Sequence, residues 1–136
     1  MKLLGILLVL ALMSVSSYSR DTTLHLSINQ ALKKGRAKGV IDRRIHLQFG
    51  NRKLHGGQRK YTANKSTNAF NKSDKEACEW AFLSAVKSLQ HRARKKGRRN
   101  VTGIVSYYKK RTRSSASRYE CHVGRIVSHV VLRGNI

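Results

Sequence analysis

The stretch from Ser73 to Gly97 constrains the fold more than any other part of the chain. Ser73 and Glu76 form a Ser-x-x-Glu capping box directly ahead of an apolar repeat. Ala77, Cys78, Ala81, Phe82, Ala85, Val86, Leu89 and Ala93 recur at helical spacing, and Trp80 and Leu83 widen that face over the first turns. Asp74, Glu76 and Glu79 stand at one end, and Arg92, Arg94, Lys95 and Lys96 at the other. Both placements suit the helix dipole, and Gly97 supplies a stop. The spacing predicts a helix over about 74–96 whose apolar stripe needs a partner surface.

The flanking segments supply that surface as strands. Thr22 to Leu26 alternates, with Leu24 and Leu26 on one face. Ser27 is placed to cap a short helix carrying Ile28, Ala31, Leu32 and Ala37, weakened by Gly35 and stopped at Gly39. Arg44 to Phe49 alternates again, and Tyr61 to Lys65 is a further strand candidate. Beyond the long helix, Val101 to Lys109 puts Val101, Gly103, Val105 and Tyr107 opposite Thr102, Ile104, Ser106 and Tyr108. Ser117 to Val123 and Ile126 to Leu132 complete the set, joined across the basic loop Lys-Lys-Arg-Thr-Arg-Ser-Ser-Ala-Ser. The expected fold is α+β. A mixed or antiparallel sheet carries the long helix and one short helix, in the order βαββαβββ.

Ahead of this domain stand Met1-Lys2, the apolar run Leu3 to Met13 and small polar residues to Ser19. That pattern describes a secretory signal peptide over 1–19, cut after Ser19 or, as the runner-up, after Ser17. The run is too short for a spanning helix, which needs about 20 residues. The remainder, 20–136, suits one small domain of an exported protein, periplasmic or secreted.

Two cysteines in an exported chain raise the question of pairing. Cys78 lies on the apolar face of the long helix, and Cys121 shares a strand face with Tyr119 and Val123. Helix-on-sheet packing brings those faces together, and a Cys78–Cys121 bridge would stabilise by about 4 kcal/mol in the chain-entropy account. Two other roles stay open for Cys121: a functional thiol and a metal ligand. A thiol nucleophile needs an activating base, and on a strand the adjacent His122 points the other way. A zinc site needs ligands at recognisable spacing, whereas His25, His46, His55, His91, His122 and His129 are scattered. No metal and no cofactor is expected. Phosphate-loop, nucleophile-elbow and dinucleotide-binding patterns are absent, and no catalytic residue is assigned.

The charge is the outlier. Lys and Arg total 29 against 6 Asp and Glu, a formal net charge of +23 on 136 residues, and loss of the leader removes only Lys2. Hydrophobic residues at 40% argue against disorder, so the excess falls on the surface of a folded domain. Two clusters are the candidate polyanion-binding residues: Arg92, Arg94, Lys95, Lys96, Arg98 and Arg99, then Lys109, Lys110, Arg111 and Arg113. Tyr107 and Tyr108 adjoin the second cluster and are candidates to stack on bases, although a strand would put one of them in the core.

The segments Arg-Asp-Thr-Thr-Leu-His-Leu, Asn64 to Ala85, Ser-Tyr-Tyr-Lys-Lys and Tyr-Glu-Cys-His-Val-Gly resemble a family of small exported bacterial proteins of unknown function. Its members often carry the label "excinuclease ATPase subunit", and no phosphate loop here supports that label. The chain is more distantly similar to the envelope-stress sensor lipoprotein of the Rcs phosphorelay, which implies a helix on a sheet with disulfides reaching the helix. The expected function is a nonspecific polyanion-binding module, with nucleic acid, lipopolysaccharide or an anionic lipid surface as partner. The alternative is a periplasmic structural or envelope-stress signalling domain that binds a protein partner. An enzyme is not expected. Mass spectrometry of the exported protein should find Arg20 as the first residue; retention of 1–19 would overturn the leader assignment.

Overall fold

The computed structural model describes residues 21–136. The signal-peptide segment 1–19 and its cleavage sites lie outside the described residues. Six strands and two helices follow one another as β1 (Thr22–Ser27), α1 (Ile28–Ala37), β2 (His46–Phe49), β3 (Lys60–Asn68), α2 (Asp74–Lys95), β4 (Asn100–Ser106), β5 (Arg118–Val123) and β6 (Val127–Asn135). This is the α+β order expected. A short 3₁₀ turn, Tyr108–Lys110, interrupts the path from β4 to β5.

The sheet is mixed and curled around β6. Along one edge β6 pairs antiparallel with β3 from Lys60↔Asn135 to Asn68↔Val127. Its other edge is shared: β5 takes Ser128 and His129, and β4 takes Leu132 to Asn135. Outside these lie β1, antiparallel to β5, and β2, parallel to β4. Two strands sharing one edge cannot stay coplanar, so the sheet wraps towards α2.

The packing of α2 follows its sequence. Ser73 caps it by accepting from the Glu76 N–H at 3.1 Å, and Gly97 leaves it at φ +66. Ala77, Cys78, Ala81, Phe82, Leu83, Ala85, Val86, Leu89 and Ala93 are buried against Tyr119, Cys121, Val123, Val130 and Leu132. Phe82 lies between Tyr119, with ring centroids 4.1 Å apart, and Phe49 at 5.9 Å. Truncating Phe82 to Ala should cost about 3–5 kcal/mol, the range for emptying an aromatic site. Cys78 and Cys121 are disulfide-bonded with Cα atoms 5.9 Å apart, which joins α2 to β5.

Several expectations need correcting. The alternation expected along β4 breaks at Gly103. Three positions, Thr102 to Val105, span two on β6, and β2 skips at the same place. Gly103 sits at φ +60, and its N–H donates to Gln48 Oε1 at 2.7 Å. This bulge lets Val101 and Ile104 both enter the core, which strict alternation forbids. The strand also ends at Ser106, three residues early, so Tyr107 and Tyr108 do not point to opposite faces of a strand. Strand β3 runs to Asn68, and β6 starts after an exposed Ile126 and extends to Asn135. In α1, Ala37 is exposed, and Gly35 is the buried position. A Cβ at Gly35 would meet Leu83 Cδ2 at 2.5 Å, so glycine permits the close crossing of α1 and α2.

Replacing both bridge cysteines by Ala should lower stability by about 2–5 kcal/mol. Chemical denaturation with and without reductant checks this. A native protein whose two thiols alkylate freely would contradict the pairing.

Candidate polyanion-binding surfaces

The first cluster occupies the pole where α2 ends and β4 begins. The last turn of α2 closes with the Arg98 N–H donating to the Ala93 carbonyl at 2.9 Å, and Gly97 to Arg94 at 3.0 Å. That closure points successive basic side chains around the pole. Arg92 and Lys96 both lie over the Tyr61 ring at 4.9 Å. Hydrogen bonding from Lys96, more than the nearby charges, holds the Tyr61 hydroxyl below its usual range. Arg94 Nη1 reaches Asp42 Oδ2 at 3.0 Å, and Arg98 Nη2 donates to the Gly57 carbonyl at 3.5 Å. Lys95 and Arg99 are exposed.

Asp42 organises this pole. Its Oδ1 accepts from the Arg44 N–H at 2.9 Å and Nε at 3.1 Å, and its Oδ2 accepts from Arg44 Nη2 at 3.2 Å. The Arg44 side chain, then its backbone N–H, and more weakly Arg94 hold the carboxyl well below the ordinary range. Gln90, 1% exposed on α2, fixes the segment from inside. Its Oε1 accepts from the Asp42 N–H at 3.0 Å; its Nε2 donates to the carbonyls of Asp42 at 2.9 Å and Ile45 at 3.1 Å. A polar residue on a helical core stripe gives no sign in sequence of which loop it holds.

The second cluster lies past the other end of β4, on the sheet face away from α2. Seven residues of strand put about 20 Å between the two clusters, so the fold does not merge them. Tyr107 continues the ladder, its N–H donating to Val131 at 2.9 Å, and the chain then turns out. Lys109 and Lys110 both take positive φ, 51° and 61°, a conformation that costs about 1–2 kcal/mol per residue outside glycine. The Ser106–Arg113 bridge closes the base of the loop, with N–H to carbonyl distances of 3.1 and 2.9 Å. Lys109, Lys110, Arg111 and Arg113 are held exposed on a closed, locally strained loop.

Tyr107 and Tyr108 share the outer face, half-buried, and neither joins the core. Arg133 of β6 lies over Tyr107 at 4.6 Å. Tyr108 stacks on His122 with centroids 3.4 Å apart, and Lys109 Nζ lies 5.5 Å from the Tyr108 centroid. His122 Nε2 pairs with Glu120 Oε1, and Nδ1 lies 3.3 Å from Thr23 Oγ1. With both nitrogens engaged and one ring face covered, His122 serves as a shelf for Tyr108. The i, i+2 spacing of Glu120 and His122 on a strand was the available signal for this contact.

A cleft of about 360 Å³ between α1 and the start of α2 is lined by Lys34, Lys38, Glu79 and Trp80 among others. The chain's own cations engage its features: Lys34 Nζ meets Glu79 Oε1 at 3.0 Å, and Lys38 lies 4.6 Å over Trp80. Glu79 is therefore a buried ion-pair partner facing α1, not a first-turn dipole residue like Asp74 and Glu76. Burial, followed by the Glu79 charge, pushes the Tyr119 hydroxyl up. Among the described residues no group of three or more His, Cys, Asp or Glu is placed to hold a metal, and no helix is long and apolar enough to cross a membrane.

No family model matches the chain, and no curated protein or solved structure is significantly similar to it.

Because the Asp42 carboxyl is depressed, its ion pairs contribute fully above about pH 4 and fade as pH falls towards the lower folded value. Asp42→Asn should therefore lose less stability than the parent between pH 5 and pH 2 in thermal melts. Gln90→Leu should cost about 1–3 kcal/mol for each buried backbone group left unpaired.

Proposed function

We propose that this chain is an exported, nonspecific polyanion-binding module that acts by binding and not by catalysis. One observation carries the reading: of the cations in the two clusters, only Arg94 contacts a carboxylate among the described residues. The others are displayed on a helix end and a closed loop without acidic neutralisation. Such surfaces meet phosphate or sulfate groups by exchanging condensed counterions, whatever the sequence of the polymer. Tyr107 and Tyr108 lie on one face beside Arg133 and Lys109, an arrangement suited to single strands, where rings stack on bases. Candidate ligands are nucleic acid, lipopolysaccharide and anionic lipid.

The alternative is a periplasmic structural or envelope-stress signalling domain that binds a protein partner. The two readings separate by salt: polyanion binding weakens steeply, whereas an interface built on apolar contact survives.

Binding to duplex DNA should show a slope of log affinity against log salt near −0.9 per phosphate contact. Six to ten contacts would lower affinity by about 10³–10⁵ between 50 and 200 mM salt. Neutralising Arg94, Lys95, Lys96, Arg98 and Arg99 to Gln should flatten that slope on all sequences alike. Tyr107→Ala with Tyr108→Ala should weaken single strands more than duplexes. Fluorescence titration checks each; salt-insensitive binding, or preference for one sequence, would refute the proposal.

A further inference from the structure

The pole opposite the arginine-rich end of α2 has a different character. Phe70 is 75% exposed and Ile126 is 70% exposed. They come from different turns, one after β3 and one between β5 and β6, yet the turns are tied by the Ala69 N–H donating to the Ile126 carbonyl at 2.9 Å. Both turns are internally bonded. The Phe70 N–H donates to Asn68 Oδ1 at 2.7 Å, and Asn71 beyond it adopts φ 57. In the other turn the Gly124 N–H donates to the Val127 carbonyl at 2.8 Å, which sets Arg125 and Ile126 at its corners. The apolar side chains are thus held outward by ordered backbone.

Cations surround them. Arg125 is exposed beside Ile126, Lys75 is exposed on the first turn of α2, and Lys72 Nζ is fixed on the Asn68 carbonyl at 3.0 Å. The described chain also begins here. Thr22 pairs with Val123, and Asp21 lines a small cleft with Arg125, Ile126 and Val127. The apolar run Leu3 to Met13 therefore joins the domain at this same pole. An aromatic and an aliphatic side chain ringed by Lys and Arg, on a chain of net charge +23, complement one kind of surface. That surface is an anionic bilayer, where apolar groups enter between headgroups and cations meet lipid phosphates.

We propose that the Phe70/Ile126 pole inserts shallowly into anionic lipid bilayers and orients the domain on them. The inference rests on the polyanion reading for its long-range attraction. It adds an apolar contribution that salt does not screen.

The test compares the purified exported protein with a Phe70→Ser/Ile126→Ser variant and a Leu54→Ser control. Leu54 is 44% exposed but lies in the loop before β3, at the other end of that strand. Vesicle sedimentation uses phosphatidylglycerol mixed with phosphatidylcholine, and phosphatidylcholine alone; heparin binding runs in parallel. All substituted side chains are exposed, so melting curves should coincide. The parent should bind the anionic vesicles and retain more of that binding in high salt than it retains of heparin. The double variant should lose about tenfold or more in vesicle affinity, since burying each side chain fully would exceed that, with heparin binding unchanged. Leu54→Ser should change neither. Equal vesicle binding by parent and double variant would overturn the proposal. Absence of vesicle binding with heparin binding intact would overturn it while leaving the polyanion reading standing; loss of both would sink the two together. If vesicle binding is unchanged but the variant sheds a co-purifying envelope protein, the pole belongs to a protein partner and the lipid assignment is wrong.

Discussion

Everything in this fold has to accommodate an excess of like charge. With 29 basic residues against 6 acidic ones, most cations have no carboxylate to meet. Five of them lie over aromatic rings among the described residues: Lys38 on Trp80, Arg92 and Lys96 on Tyr61, Lys109 on Tyr108, and Arg133 on Tyr107. Such contacts ordinarily occur about once per 70–80 residues, so their density here has a cause. The electron-rich faces of Trp and Tyr take over the part that carboxylates play in a balanced protein. The alkyl stems of Lys and Arg also cover ring surface that would otherwise face water.

Self-repulsion favours expansion, and two kinds of restraint oppose it. One is covalent: the bond between α2 and β5 holds the sheet's curled half against the helix. The other is the buried amide of Gln90, which fastens the Asp42–Ile45 segment to α2 near the most densely charged pole. Asp42 then spans Arg44 and Arg94, keeping two guanidinium groups close that would otherwise separate. A single carboxylate at the right place reduces the local repulsion more than one charge in the total suggests.

The element order, the long helix, its capping box and the cysteine pairing were legible because each rests on local pattern: helical spacing, a Ser-x-x-Glu signature, two cysteines on facing stripes. What was not legible came from irregular backbone and from contacts distant in sequence. Glycine at 103 gives no warning that a bulge there turns both Val101 and Ile104 inward. Ser106 ends its strand because β5 takes over the edge of β6, which only the assembled sheet reveals. For the candidate surfaces, the basic clusters could be read directly. Their separation along β4, the positive φ of Lys109 and Lys110, and the His122 shelf under Tyr108 depend on tertiary geometry. Phe70 and Ile126 passed without notice because an apolar residue beside a strand is normally assigned to the core.

The placement of β6 also governs the order in which the molecule can form. Of the six strands it lies furthest along the chain, yet three of the five strand pairings run through it. Until it arrives, β3 and β4 have no antiparallel partner and the apolar stripe of α2 faces an incomplete surface. Closure therefore waits on contacts of long sequence separation, the kind that makes folding slow. A chain emerging from its amino end, whether from the ribosome or through a secretion pore, would remain unfolded until almost all of it had passed. Late closure of this kind suits a protein that must be threaded before it can fold.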